Sequence, residues 1–236
     1  MRRPLIPHRF IALPLLLALT LPQVARADWA YEAGYSFGNY RGEAPQGAHY
    51  NGDLQGLHLA FRESVSDWRG ELAGDYQVGN ADRKAPGNGL ESSDETAWGA
   101  EYRIGPELSP GLWAFGGLAH QRWDSDADSA HLERQFTYSP IGLGLTLPPT
   151  WGVVGELIAE YWAVWQAEVH TSKPVAGELP DGGSGWRLSL SLAWPFGDQQ
   201  SLLVNPYYAD WRLNGGDRDN AIDAQVVGVN LGLRWH

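Results

Sequence analysis

Arg69 and Glu71 stand two residues apart, as do Glu101 and Arg103. In an extended chain residues i and i+2 share a face, so each pair sets an acid beside a base on one side of a strand. The same parity in neighbouring stretches collects Glu32, His58, Arg62, Asp75, Glu156, Glu160, Arg187 and Arg234. Mixed charges gathered in a confined space are tolerated when they pair, which makes a salt-bridge network the first expectation. A constricted polar passage is the other reading, with Gly34, Gly56, Gly99, Gly142, Gly144, Gly228 and Gly232 leaving room. A second set, His120, His131 and His170 with Ser125, Ser129, Ser139 and Ser172, offers bases and nucleophiles for acyl transfer. No local signature ties a His to a Ser, so no catalytic residue is assigned. A third set, Asp124, Asp126 and Asp128, opens like a Ca²⁺-binding loop, but Ser129 replaces the turn glycine and Gln135 the bidentate glutamate. It reads as a solvated acidic loop and only a weak metal candidate; no metal or other cofactor is expected.

The elements that would position these groups share one grammar. In Gln225 to His236, Val227, Val229, Leu231, Leu233 and Trp235 fall on one face and Gly228, Asn230, Gly232 and Arg234 on the other. Period two means a strand. Trp29 to Phe37, Leu57 to Phe61, Trp68 to Val78 and Trp98 to Ile104 repeat the pattern, as does Trp186 to Trp194. Runs from Trp113 to Trp123, Phe136 to Leu147 and Val153 to Trp165 are less regular. Phe136 and Tyr138 are out of phase with Ile141 and Leu143, which predicts a bulge at Pro140. Leu202 to Arg212 admits either parity. The count is about ten strands, with eight or twelve possible, each near ten residues. Asn39 to Gly52, Gly79 to Asp94, Asp124 to Leu132, His170 to Ser184 and Leu213 to Ile222 read as long polar connections. They alternate with short turns, the arrangement expected when all tight turns lie at one end of a barrel.

The N-terminus addresses the compartment. Arg2, Arg3 and Arg9 precede the apolar run Phe10 to Leu21, and Ala25-Arg26-Ala27 ends in small residues. This is the build of a cleaved signal peptide over residues 1–27, leaving a single domain over 28–236. The whole chain has 17 basic and 28 acidic residues; losing Arg2, Arg3, Arg9 and Arg26 leaves 13 against 28, a net charge of −15. A nucleic-acid partner is excluded on that balance. The chain has no Cys, and so no disulfide framework or thiol nucleophile, and 12 Trp. Several Trp fall at strand ends on the apolar parity, and Trp29, Trp68, Trp113, Trp151, Trp194 and Trp235 are expected at one membrane interface.

Signal peptide, alternating strands and the closing V-x-V-x-L-x-L-x-W together resemble the Gram-negative bacterial outer-membrane β-barrel proteins, whose last strand ends in an aromatic residue. Here His236 follows Trp235. The resemblance implies an all-β, transmembrane, antiparallel up-and-down barrel that is exported through the periplasm and inserted by the barrel-assembly machinery. Lipid and lipopolysaccharide would surround it, with divalent cations a reasonable bridge between acidic loops and lipopolysaccharide phosphates. Ten strands is also the size of the omptin proteases and Opc-type adhesins, but no motif assigns the chain to either. The function expected is a structural or surface-interaction barrel without catalysis. A small porin-like passive pore and a hydrolase acting on lipid A, phospholipid or peptide are the alternatives. Oligomeric state is not legible.

Overall fold

The computed structural model describes residues 28–44, 48–84, 90–127, 130–172, 182–214 and 221–236; the expected signal peptide and Asp128 lie outside them. Ten strands run β1 (Asp28–Ala44), β2 (Ala48–Val65), β3 (Trp68–Lys84), β4 (Leu90–Ser109), β5 (Leu112–Ala127), β6 (Ala130–Thr150), β7 (Val153–Thr171), β8 (Gly182–Pro195), β9 (Gln200–Asn214) and β10 (Ile222–Trp235). Each pairs antiparallel with its sequence neighbours, and β10 returns to β1 in register from Tyr31↔Trp235 to Glu43↔Asp223, closing the barrel. Closure leaves no edge strand with unpaired backbone, which is what a strand-built membrane protein requires.

Tight turns explain how the hairpins start in register. Trp151 and Gly152 both have positive φ, 52° and 77°, the pair of left-handed residues that a two-residue type I′ hairpin demands. Gly111 at φ 82° follows Pro110, as in a type II turn. These turns and the chain's final strand end share one end of the barrel, taken as the periplasmic one.

The strands are 14 to 21 residues long, well beyond the ~9–11 that a tilted strand needs to cross a bilayer. The excess comes from an inversion of the side-chain pattern. Near the turns, β1 shows Tyr31, Tyr35 and Phe37 outside and Glu32 and Ser36 inside; farther out it shows Asn39 and Arg41 outside and Tyr40 buried. β2 does the same, with Leu57, Leu59 and His58 giving way to Asp53, Gln55 and Leu54. The first arrangement suits lipid outside and polar groups inside, the second suits water outside and an apolar core. Hence much of what reads as polar connection in Asn39 to Gly52 or Gly79 to Asp94 is strand. The barrel continues as a water-bathed cylinder past the membrane.

Two expectations about phase are corrected. The bulge is not at Pro140: β6 keeps one parity, with Phe136 and Tyr138 inside and Ile141 and Leu143 outside. The register shift lies between Thr137↔Gln166 and Tyr138↔Val164, so the extra residue is Trp165 on β7. Phe136 and Tyr138 are out of phase with Ile141 because β6 crosses from the apolar-inside to the polar-inside zone. In β9 the parity is settled with Leu203, Asn205, Tyr207, Ala209, Trp211 and Leu213 inside. Prolines leave a mark on the wall. The β8–β9 ladder has no pairs between Ser189↔Tyr207 and Leu192↔Val204, opposite Pro206. The β5–β6 ladder has none between Gly116↔Ile141 and Ala119↔Tyr138, opposite Pro140. A residue without N–H cannot complete a ladder on both sides.

Candidate functional site

Inward parity on seven strands brings Arg62, Arg69, Arg103, Arg187 and Arg234 against Glu32, Glu71, Glu101, Glu156 and Glu160 in the lower lumen. Arg62 lies between Glu32 (3.0 Å), Glu71 (2.9 Å) and Glu156 (2.6 Å). Arg103 reaches Glu160 at 3.0 Å and Glu71 at 3.3 Å and also binds Glu101. Arg187 holds Glu160 at 2.7 Å and Glu101 at 3.1 Å, and Arg234 holds Glu32 at 2.7 Å. Arg69 bridges Glu156 (3.5 Å) to Glu107 at the solvent-facing edge (3.4 Å). Five guanidiniums thus meet five carboxylates in a continuous mesh, with neutral partners at its border: Trp162 Nε1 donates to Glu160 and Tyr138 OH to Glu101. His58 and Asp75 stand apart as their own pair, at 2.8 Å. The five opposite charges offset one another, although Glu32 Oε2, Arg62 Nε and Glu160 Oε2 are buried without a hydrogen-bond partner.

Of the seven glycines expected to leave space, Gly142, Gly144 and Gly228 have given it to aromatic rings, Gly34, Gly56 and Gly232 lie against the backbone of the neighbouring strand, and Gly99 lies against Gln121. A Cβ on Gly144 would run into the Trp113 indole, one on Gly142 would lie 2.5 Å from the Phe115 ring, and one on Gly228 would collide with Tyr207. Trp113 is accordingly not a membrane-interface residue. It is 2 % exposed and packs inward against Phe115 and Ile158, with the Arg103 guanidinium 5.3 Å from the Phe115 ring centre. The physical reason is the pair of glycines on β6 opposite it, which open a slot inside the wall that a ring fills. Trp68, Trp194 and Trp151 face outward, and Trp151 is 97 % exposed at its turn. Trp29 packs on Phe61 at 4.9 Å, and Trp235 pairs across the seam with Tyr31.

Above the charge layer, an aromatic layer fills the outer lumen. Tyr40 meets Trp123 edge-on at 4.5 Å, Trp123 meets Trp211 at 6.1 Å, Trp211 meets Phe136 at 5.0 Å, and Tyr138 meets Trp162 at 4.6 Å. Trp123, Phe136 and Tyr138 therefore serve as core. Arg134 is buried among them, 5.4 Å from Trp123, 5.7 Å from Tyr50 and 5.8 Å from Tyr40. Rings around a guanidinium stabilise it through their electron-rich faces. It also donates to Ser125 Oγ at 3.0 Å, and that hydroxyl donates to Glu95 at 2.6 Å. Burial, only partly offset by Arg134, pushes the Tyr40 hydroxyl up to about 12, and burial likewise raises the Glu95 carboxyl above its ordinary value. Nothing in the sequence pattern marked this layer, because its residues alternate with polar ones on the phase opposite to that of the membrane zone.

On the outer wall the rim histidines have carboxylate or hydroxyl neighbours. His120 Nδ1 lies 3.0 Å from Thr137 Oγ1, His131 Nδ1 lies 2.5 Å from Asp126, and His170 Nε2 lies 3.5 Å from Glu168. Among the described residues none of these rings binds a serine hydroxyl. Asp124 and Asp126 do not form a cation loop. They sit on β5, where Asp124 pairs with Arg122 at 3.1 Å. Asp124, His131 and Glu133 do bring ligand atoms within 4.8 Å of one another, but Arg122 also reaches Glu133 at 3.0 Å and already supplies the positive charge there.

No protein-family model matches the sequence, and no curated protein matches it. Solved structures do. The outer-membrane protease OmpT of Escherichia coli superposes with a TM-score of 0.54 at 9 % identity, over 90 % of this chain and 99 % of that one. The transport unit of the autotransporter AIDA-I, also of E. coli, gives 0.49 at 10 % identity over 95 % and 96 %. OprG of Pseudomonas aeruginosa gives 0.42 at 12 % identity over 89 % and 95 %. The likeness to the protease is one of fold, a closed antiparallel β-barrel, and the outward apolar band of this chain is what a barrel seated in a membrane presents to lipid.

Proposed function

We propose that the protein is a sealed, non-catalytic outer-membrane barrel that acts through the wall and rim standing above the membrane. The observation that carries this is the filled lumen: a neutral arginine–glutamate mesh spans its lower half and interlocked aromatic rings span its upper half. A permeating ion would have to displace both. The porin-like alternative loses support, since three of the glycines that would widen a passage, Gly142, Gly144 and Gly228, seat aromatic rings instead.

The outer wall is polar and acidic. Asn39, Asp53, Asn80 and Asp94 follow one another across β1 to β4 in a single register row, with Asn39 donating to Asp53 at 3.1 Å and Asn80 to Asp94 at 2.7 Å. Amide and carboxylate rows of this kind suit hydroxyl-rich and cation-bridged partners, and lipopolysaccharide is the partner of that chemistry surrounding the wall. The β10 strand, ending in Trp235, is the segment that the barrel-assembly machinery would read. A hydrolase reading finds little support in the rim, where the described histidines contact Thr137, Asp126 and Glu168.

Planar-bilayer recording of the refolded chain tests the sealed lumen. The expected record is silent, and reproducible single-channel steps would overturn the proposal. Hydrolysis of lipid or peptide substrates by the same preparation, absent from an H120A variant, would overturn its non-catalytic part.

A further inference from the structure

We propose that the chamber between the charge layer and the aromatic layer is a binding site for a small, neutral amphiphile with an amide or hydroxyl head. The cavity is about 110 Å³. An apolar protein cavity of about 150 Å³ takes up benzene, so this one fits a molecule of roughly four or five heavy atoms by the same measure.

Its walls differ in chemistry. Its polar lining includes His58, Asp75, Gln77, Tyr207, Asn205 and Asn230, and its apolar lining Ile158, Trp162 and Trp211. Much of the polar wall is internally satisfied: His58 Nδ1 lies 2.8 Å from Asp75, and Gln77 donates to Ser36 Oγ at 2.5 Å and reaches Tyr207 OH at 3.5 Å. The two asparagines are not. Asn205 and Asn230 face each other across β9 and β10. Asn230 is 6 % exposed, and the amide oxygens of both are buried without a hydrogen-bond partner. Burying polar atoms unpaired is costly, and such atoms mark where a ligand or water completes the structure.

Charge selects the guest further. The arginines and glutamates that line its floor, Arg62, Glu71, Glu101, Arg103 and Arg187, are mutually paired, and His58 with Asp75 forms a pair of its own. An ion placed here would be desolvated and would have to break one of these pairs to gain a counter-charge. A neutral head can take the two amides while its short apolar body lies on Trp162 and Trp211. The charge layer lies below the chamber and the aromatic layer above it, and small guests reach cavities of this size through local opening of the packing around them.

Acetamide and 1-propanol are suitable probes, titrated into the refolded full chain in detergent micelles. The indole N–H resonances of Trp162 and Trp211 report the chamber and those of Trp68 and Trp194 the outer wall. The expected result is saturable shifts of the first two alone, with dissociation constants in the millimolar range. N230L should weaken acetamide at least about tenfold, in line with loss of a buried hydrogen-bond partner. A73L, which fills the chamber from β3, should abolish the shifts while the barrel retains its heat-modifiable mobility on SDS gels, the check that it has folded. Absence of saturable shifts in the wild type would overturn the proposal. So would binding unchanged in a folded A73L, or equal shifts from potassium thiocyanate.

Discussion

Arg103, like Arg62, meets three carboxylates in the lumen, and replacing it gives a quantitative test of the mesh. Its guanidinium binds Glu101, lies 3.0 Å from Glu160 and 3.3 Å from Glu71, and is itself 4 % exposed. At an effective dielectric near 20, each 3 Å contact is a gross attraction of about 5 kcal/mol. The three do not add up to the net cost, because every carboxylate keeps another cation: Glu71 keeps Arg62, and Glu101 and Glu160 keep Arg187. Removing one partner from a buried pair costs about 3–5 kcal/mol, and R103M should fall at the lower end, near ~3 kcal/mol. E160Q added to R103M restores equal numbers of guanidiniums and carboxylates, and a glutamine oxygen can still accept from Trp162 Nε1, now 2.7 Å from Glu160. The double variant should recover at least about half of the loss, as groups in one network couple strongly. The assay is reversible urea unfolding of the barrel in micelles or thin bilayers, followed by tryptophan fluorescence. A loss below about 1 kcal/mol for R103M, the value of an exposed pair, would refute the reasoning. A double variant less stable than R103M would refute it equally.

Three further outcomes follow from the packing. G144A drives a methyl group into the Trp113 indole and should destabilise by about 1–3 kcal/mol, the range for overpacking, with a changed near-UV dichroism; an unperturbed spectrum would show the slot to be loose. P206V restores an N–H opposite the interrupted stretch of the β8–β9 ladder and should add about 1 kcal/mol, one hydrogen bond's net value. Slower amide exchange at Leu190 and Ser191 would accompany it, and exchange left unchanged would mean that the ladder is interrupted for another reason. E95Q tests the outer lumen by pH. Burial raises the folded-state carboxyl above its ordinary value of 4.5, so the folded state favours the protonated form and the wild type loses stability as pH climbs through the raised value. Melting temperatures of wild type and E95Q should approach each other at the acid end and part as pH rises, with the variant higher; a difference independent of pH would remove burial of Glu95 as its cause.

How much was legible depended on which solvent each residue meets. Where strands cross lipid, polarity alternates in one phase, and parity alone put Arg62, Glu71, Glu101, Arg103, Glu160, Arg187 and Arg234 on a common face. Which acid meets which base was not legible, because Arg62–Glu156 and Arg103–Glu160 join strands far apart in sequence. Above the membrane the phase reverses, so Tyr40 fell in a stretch that reads as polar connection and Trp211 in a run of undecided parity, when both are core. Trp113 was misplaced for a related reason: its inward seat is made by Gly142 and Gly144 on the next strand, and a one-dimensional pattern does not show that opening.

By itself, then, the sequence determined a strand-built chain with an apolar outward band, a charged inward face and a closing strand fit to meet the first. Those properties follow from period-two geometry, which acts locally along each strand. The tertiary structure decided that an arginine–glutamate mesh and packed rings occupy the interior, that the barrel extends beyond the apolar band, and that a small chamber with two unpaired asparagines lies between its layers. Those depend on closure, which sets side chains from all ten strands against one another at fixed heights and lets volume and charge, summed across the lumen, determine what remains open.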